Sequence, residues 1–248
     1  MRRDRPALKG ILFDKDGTLL DFEATWGPAT AAVVAALAQG DPAKAARLAE
    51  AAGFDPQKRS FEVASPIIAG APDEFGPVWA RLLGVPFDAR FAARMNALFH
   101  EHSLVSLTGY EDVAPGLDAI LAMGLAVGLA TNDTQSAAHA HLERLGVRER
   151  FAFVAGYDSG HGSKPGPGMV HAFARAIGAA PEEVAMIGDT GHDMAAAKAA
   201  GALAVGLART PAARAALDGL ADLVIDDLAA LCTHLEDQRR QDTDRCAG

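Results

Sequence analysis

The sequence is poor in cysteine and aromatic residues and carries no excess of basic charge. Its two cysteines, Cys232 and Cys246, stand near one end of 248 residues. No C-x-x-C occurs, which excludes a disulfide scaffold, a zinc ribbon and a dithiol redox pair. An ordinary cytoplasmic chain with free thiols is expected. Lys and Arg number 23 against 32 Asp and Glu, a net charge of -9. That balance lacks the basic footprint of a nucleic-acid binder and the attraction to an anionic membrane surface. No stretch approaches the roughly 20 uncharged apolar residues of a membrane span. Arg2, Arg3 and Arg5 precede only a short apolar run that soon meets Asp14 and Asp16, so no secretory signal is expected. No Walker motif is present. Residues 156–162 are glycine-rich but lack the G-x-G-x-x-G order, so neither a dinucleotide nor an ATP site is assigned.

What is there fits a folded chain. Half of the residues are hydrophobic, 22% are charged, and alanine fills about a fifth of all positions. The length falls between one average domain and two, enough to bury a core without staples. Short apolar runs bounded by turn signals occur at 8–13, 125–130, 151–155, 184–187, 202–207 and 223–225. Such runs suit strands buried on both faces, as in a parallel sheet. Helical patterns lie between them, at 115–123, 134–145, 167–177, 191–200, 211–217 and 228–235, with Gly146, Gly178 and Gly201 as stops. The alternation reads as a doubly wound α/β domain. Residues 21–105 break it, showing only helical signals at 26–39, 42–52, 72–83 and 86–103, with Asp41-Pro42 as a helix start. The expected layout is a core over 1–20 and 106–235, an all-α insertion over 21–105, and a polar tail over 236–248 that frays.

Four segments carry chemistry. In Asp14-Lys15-Asp16-Gly17-Thr18, two carboxylates follow an apolar strand at the edge where open α/β sheets bind ligands. Gly17 permits a tight turn. Two close acids suit Mg²⁺, a hard cation that takes oxygen ligands, and also a division of labour between nucleophile and acid. Thr131-Asn132-Asp133 ends a second strand before a helix, where a hydroxyl, an amide and a helix N-terminus form an anion site, although Thr or Asn there also serves as a plain cap. Lys164 sits in a stiff loop, Ser163-Lys164-Pro165-Gly166-Pro167, which limits where its ammonium can go. Gly188-Asp189-Thr190-Gly191-His192-Asp193 ends another strand in an acid, with a second acid near a helix start. If the first and fourth strands are neighbours, Asp14, Asp16 and Asp189 converge, and a bound cation would offset their charge.

In their order and placement these segments resemble the four motifs of the haloacid dehalogenase-like hydrolases, specifically the phosphoglycolate phosphatase-like group with a helical cap of the C1 type. The resemblance covers nearly the whole chain, from about residue 9 to 235. The first and fourth motifs are specific, and the other two gain force from order. It implies a Rossmann-like core and an inserted cap. It also implies that Asp14 attacks phosphorus, that Asp16 is the acid and base, and that Thr131 and Lys164 hold the transferring group. Gly17, Thr18 and Asn132 are then the phosphate-binding positions. Mg²⁺ is bound by the Asp14 carboxylate, the Asp16 main-chain carbonyl and Asp189, with Asp193 in support. Asp16 sets the chain apart from dehalogenases and phosphonatases, which lack that second acid, and the absence of a membrane segment sets it apart from the ion pumps with a similar motif.

The implied activity is a Mg²⁺-dependent phosphatase, cytoplasmic, acting as a monomer or homodimer on a small phosphorylated metabolite, with phosphoglycolate as first guess. A phosphomutase acting on a sugar phosphate and a non-catalytic phosphate-binding protein are the alternatives. A receiver domain would need neither the insertion nor the D-x-D-G-T turn. Two positions depart from the group's pattern: Lys15, where an apolar residue is commoner, and Asp133, an acid beside the anion site that disfavours very anionic substrates. Lys58, Arg59, Arg81 and His100 are the insertion's candidates for a carboxylate or sugar partner. Phe91, Met95 and Phe99 recur at helical spacing as core. Trp26 and Trp79 either line the cleft or pack the insertion. The pairs His100/His102 and His139/His141 point apart on a helix and make poor metal pairs.

Overall fold

The computed structural model of the chain describes residues 6–62, 64–70 and 72–247. The arginines at the start lie outside the described residues, as does the side chain of Cys246. In chain order the elements begin with β1 (Gly10–Phe13), α1 (Phe22–Ala38), α2 (Pro42–Ala51), β2 (Phe54–Asp55), β3 (Ser60–Phe61), α3 (Pro66–Ala69), α4 (Pro72–Leu83) and α5 (Ala89–Ser106). They continue with α6 (Val113–Ala122), β4 (Ala126–Ala130), α7 (Gln135–Arg144), β5 (Phe153–Ala155), α8 (Gly168–Ala176) and β6 (Val184–Gly188). The last are α9 (Gly191–Ala200), β7 (Leu203–Leu207), α10 (Pro211–Leu217), β8 (Leu223–Ile225) and α11 (Leu228–Ala247).

Six strands form one parallel sheet in the order β5-β4-β1-β6-β7-β8. Side chains alternate across it, as the pleat requires. Ile11, Phe13, Leu129 and Ile187 face one apolar layer, which α6, α7 and α11 cover with Leu117, Leu142 and Leu231. Leu12 and Met186 face the other, covered by α8 and α9 with Phe173, Met194 and Ala197. The sheet is therefore buried on both faces, the arrangement that the short uniform apolar runs indicated. In β1 all four residues are buried, and Phe13 pairs with Leu129 on one side and Ile187 on the other. The first and fourth strands are neighbours, and the chain reverses its direction of sheet growth beside them. That crevice at the carboxyl ends is where such sheets bind ligands.

Between β1 and β4 the helices close over a third apolar cluster of their own, containing Trp26, Val33, Leu37, Leu48, Trp79, Met95 and Phe99. Trp79 stacks on Phe99 with centroids 5.9 Å apart and meets Phe75 edge-on at 5.4 Å. The insertion is helical in its main elements and carries one addition, the antiparallel ribbon β2–β3. Its turn is local. The Asp55 carboxylate accepts hydrogen bonds from the Gln57 and Lys58 amides, and the Phe54 and Phe61 rings pair at 5.0 Å. Two-residue strands are too short for alternation to show in a sequence.

Residues 236–247, read from the sequence as a polar tail, continue α11. Neither glycine nor proline interrupts 228–245, and the polar residues there are mostly tolerant of helix. Among the described residues no helix is long and apolar enough to cross a membrane.

Candidate active site

Asp14 leaves β1 at its carboxyl end, and its amide donates to the Ile187 carbonyl of β6 at 2.8 Å, so the ladder fixes it in the crevice. The chain then turns back at once. The Gly17 amide donates to the Leu20 carbonyl at 2.8 Å, and the Leu19 and Leu20 amides donate to the Lys15 carbonyl. Gly17 has φ +77°, and a Cβ there would lie 1.9 Å from Asp189 Oδ2, so only glycine lets the turn approach that acid. Thr18 is fully buried behind the turn, and Arg209 binds its carbonyl at 2.9 Å while pairing with Asp112 at 2.7 Å. Gly17 and Thr18 thus shape the loop from behind, whereas Asp14, Asp16, Thr131, Asn132 and Lys164 line an open pocket in front of it.

Lys164 is buried and reaches Asp14 Oδ1 from one side and Asp193 Oδ1, at 2.7 Å, from the other. Asp193 is held in turn by the Thr190 amide and hydroxyl, at 3.1 and 2.7 Å, which joins it to the first turn of α9. Asn132 accepts from the Lys164 amide at 2.8 Å and donates to the Lys164 carbonyl at 2.9 Å. It therefore clamps the backbone that carries the lysine. Thr131, buried at the end of β4, accepts the Asp133 amide at 3.1 Å.

The acids fit a divalent cation. Asp14, Asp189 and Asp193 each offer an oxygen, all within 4.8 Å of one another. Asp189 Oδ1 is buried and has no hydrogen-bond partner among the described residues. Three carboxylates face one ammonium. Burial pushes Asp14 up to about 7, against the pull of Lys164, and holds Asp189 well above the usual carboxylate range. Burial lowers the proton affinity of Lys164, but Asp14 and Asp193 outweigh it and keep the ammonium charged. Unpaired, this much buried negative charge takes up protons, and a hard cation with oxygen ligands would remove the need. The donor set thus suits the Mg²⁺ inferred from the sequence, with Asp193 beside Asp14 and Asp189.

The Asp16 carboxylate turns elsewhere. It accepts from the Trp26 indole N–H and from Lys15 Nζ at 2.9 Å. Lys15 is completely buried and also binds Asp133 Oδ2 at 3.0 Å and His141 Nδ1 at 2.9 Å, with the Trp26 ring 5.0 Å away. An ammonium accepts nothing, so Nδ1 must accept, and the ring proton sits on Nε2, which faces the Ser103 hydroxyl at 2.8 Å. Burial, then the neighbouring ammonium, pushes His141 down to about 2, so the ring is neutral. The two departures from the group's pattern, Lys15 and Asp133, are therefore partners. Their separate oddity was visible in the sequence. His141 and Ser103 gave no signal.

On the insertion's side the pocket is walled by Phe22, Trp26, Ile67, Ile68, Phe75 and Phe99, with Asn96. With its mouth it holds about 680 Å³ of space. Trp26 thus lines the cleft and Trp79 packs the insertion's core. Phe91, Met95 and Phe99 are core as expected. Lys58, Arg59 and Arg81 are absent from the wall, and His100 faces a neighbouring hollow with Thr134 and Asp158.

Residues 8–201 match the family model described as haloacid dehalogenase-like hydrolase. The chain belongs to the haloacid dehalogenase-like hydrolases. Within them it is a phosphatase of the phosphoglycolate phosphatase-like group. It is 30% identical over 233 residues to a phosphoglycolate phosphatase of Chromobacterium violaceum, covering 90% of this chain and 95% of that one. It is 33% identical to a phosphoglycolate phosphatase of Rhodospirillum rubrum, covering 90% and 89%. A solved phosphatase of the family from Thermococcus onnurineus shares the fold, with a TM-score of 0.67, 24% identity, and coverage of 92% and 98%. So does a β-phosphoglucomutase-like structure from Thermotoga maritima, at TM-score 0.64, 19% identity, and 93% and 99% coverage.

Proposed function

We propose that the protein is a Mg²⁺-dependent phosphatase that hydrolyses a small phosphomonoester through an aspartyl-phosphate on Asp14. The observation that carries this reading is the convergence of Asp14, Lys164, Asp189 and Asp193 beside a pocket that Asp16 also lines. Asp14 attacks phosphorus, the bond from phosphorus to the leaving oxygen breaks, and Asp16 gives that oxygen a proton. Water then attacks the same phosphorus, Asp16 takes its proton, and inorganic phosphate leaves Asp14 free. Lys164 holds the phosphoryl oxygens and offsets the repulsion between carboxylate and ester, which is most of what phosphoryl transfer asks of a protein. Thr131 faces the pocket as a further donor, and Asn132 acts through Lys164 by fixing its backbone. Mg²⁺, held by Asp14 and Asp189 with the Asp16 carbonyl and supported by Asp193, would supply charge neutralisation.

The enzyme works in the cytoplasm as a monomer or homodimer, without nucleic acid or membrane, and the helical insertion opens and closes over the site to exclude water. The relatives make phosphoglycolate the reference substrate for this reading. The test is phosphate release from a panel of small phosphomonoesters with Mg²⁺ present. Release that depends on Mg²⁺ supports a hydrolase. An isomerised hexose phosphate without free phosphate identifies a mutase, and tight phosphate binding without turnover of any ester identifies a binding protein.

A further inference from the structure

The leaving group of the substrate has to occupy the space between Asp16 and the insertion. Phosphoglycolate would place a carboxylate there, and a buried carboxylate needs a cation or several hydrogen bonds. Among the described residues the wall offers no cationic side chain and a single side-chain amide. Phe22, Ile67 and Ile68 present half-buried apolar surface to the pocket, backed by Phe75 and Phe99. The one amide among them, Asn96, is engaged by its Nδ2 with the Tyr157 hydroxyl at 3.1 Å. Lys15 lies beneath, sealed from solvent and bound to Asp16, Asp133 and His141. Lys164 is committed to Asp14 and Asp193. Lys58 pairs with Asp55 at 3.4 Å, away from the pocket. Among the described lining residues the other group able to carry positive charge, His192, stands at the start of α9, on the core side. Two carboxylates, Asp16 and Asp133, line the same space and would repel a third.

Resting on the phosphatase reading above, the geometry points to an apolar leaving-group subsite: the alcohol released from phosphorus is uncharged and hydrophobic, an aryl or branched alkyl alcohol, rather than a carboxylate-bearing one. The Trp26 indole fixes Asp16 at the boundary between the polar floor and the apolar wall, where the leaving oxygen must take its proton.

Two measurements test this on the whole protein with Mg²⁺. Calorimetry with benzylphosphonate and phosphonoacetate reads the subsite without turnover. Kinetics with benzyl phosphate, 3-methylbutyl phosphate and phosphoglycolate read it in catalysis. Benzylphosphonate is expected to bind about tenfold or more tightly than phosphonoacetate, and kcat/KM for the two apolar esters to exceed that for phosphoglycolate by a similar factor. Ile68→Arg is expected to reverse the order. Equal or tighter binding of phosphonoacetate, or a higher kcat/KM for phosphoglycolate, overturns the proposal, and loss of that advantage in His192→Ala would show where the carboxylate sits. If benzylphosphonate binds preferentially but none of the esters is hydrolysed, the phosphatase reading fails and the subsite stands.

Discussion

At the scale of single residues, the buried ammonium of Lys15 is the least expected feature of the site. It lies between two acids and a neutral imidazole, with no exposed surface. Lys15→Leu leaves the half-buried Asp16 and Asp133 without their cation and is expected to cost about 1–3 kcal/mol, read from urea unfolding. Lys15→Leu combined with Asp133→Asn should recover part of that, because the charge left on Asp133 goes with the lysine while Asp16 keeps the Trp26 indole. A double variant as unstable as the sum of the two singles would show that the pair does not interact. His141 adds a pH signature. Its ordinary value is 6.5 and burial takes it down to about 2. Between these limits the unfolded chain binds a proton that the folded chain refuses, so stability from this group falls as pH drops below 6.5. The slope is up to about 1.4 kcal/mol per pH unit. His141→Gln should unfold with a shallower pH dependence below 6.5, and an unchanged slope would mean that the ring is charged in the fold. The pairing within this network was not legible beforehand. Lys15 and Asp133 stand 118 positions apart, and each stood out only as a separate departure from the group's pattern.

At the scale of elements, the strand ends that carry the site were legible because there a short apolar run stops at an acid or a hydroxyl. Asp14, Thr131 and Asp189 thereby fell at the correct edge of the sheet. The packing between loops was not legible. Gly17 looked like any turn glycine, yet its missing Cβ is what lets Asp189 come close. Gly17→Ala forces the turn away from Asp189, and a displacement of about 1 Å at such a site costs on the order of 100-fold in rate. The check is kcat measured beside a circular dichroism spectrum that shows the fold retained. The ribbon β2–β3 and the helical continuation of α11 escaped for a different reason: one is too short for a periodic signal, and the other is polar on every face.

At the scale of the whole molecule, two layers of helices hold the sheet rigid while an insertion with its own core supplies the pocket's far wall. The polar floor and the apolar wall therefore belong to different parts of the chain, which is why the motifs spoke to the reaction and were silent on the leaving group. A cation held by the folded acids and not by the unfolded chain must stabilise the fold. Mg²⁺ is expected to raise Tm in the wild type and to raise it far less in Asp189→Asn, and an equal rise in both would remove Asp189 from the metal site. The central claim is that Asp14 is the nucleophile. It is tested most directly by phosphate release from one hydrolysed ester, with saturating Mg²⁺, by the wild type and by Asp14→Asn. The expected result is turnover in the wild type and background release in the variant, while wild-type turnover in Asp14→Asn would contradict the mechanism.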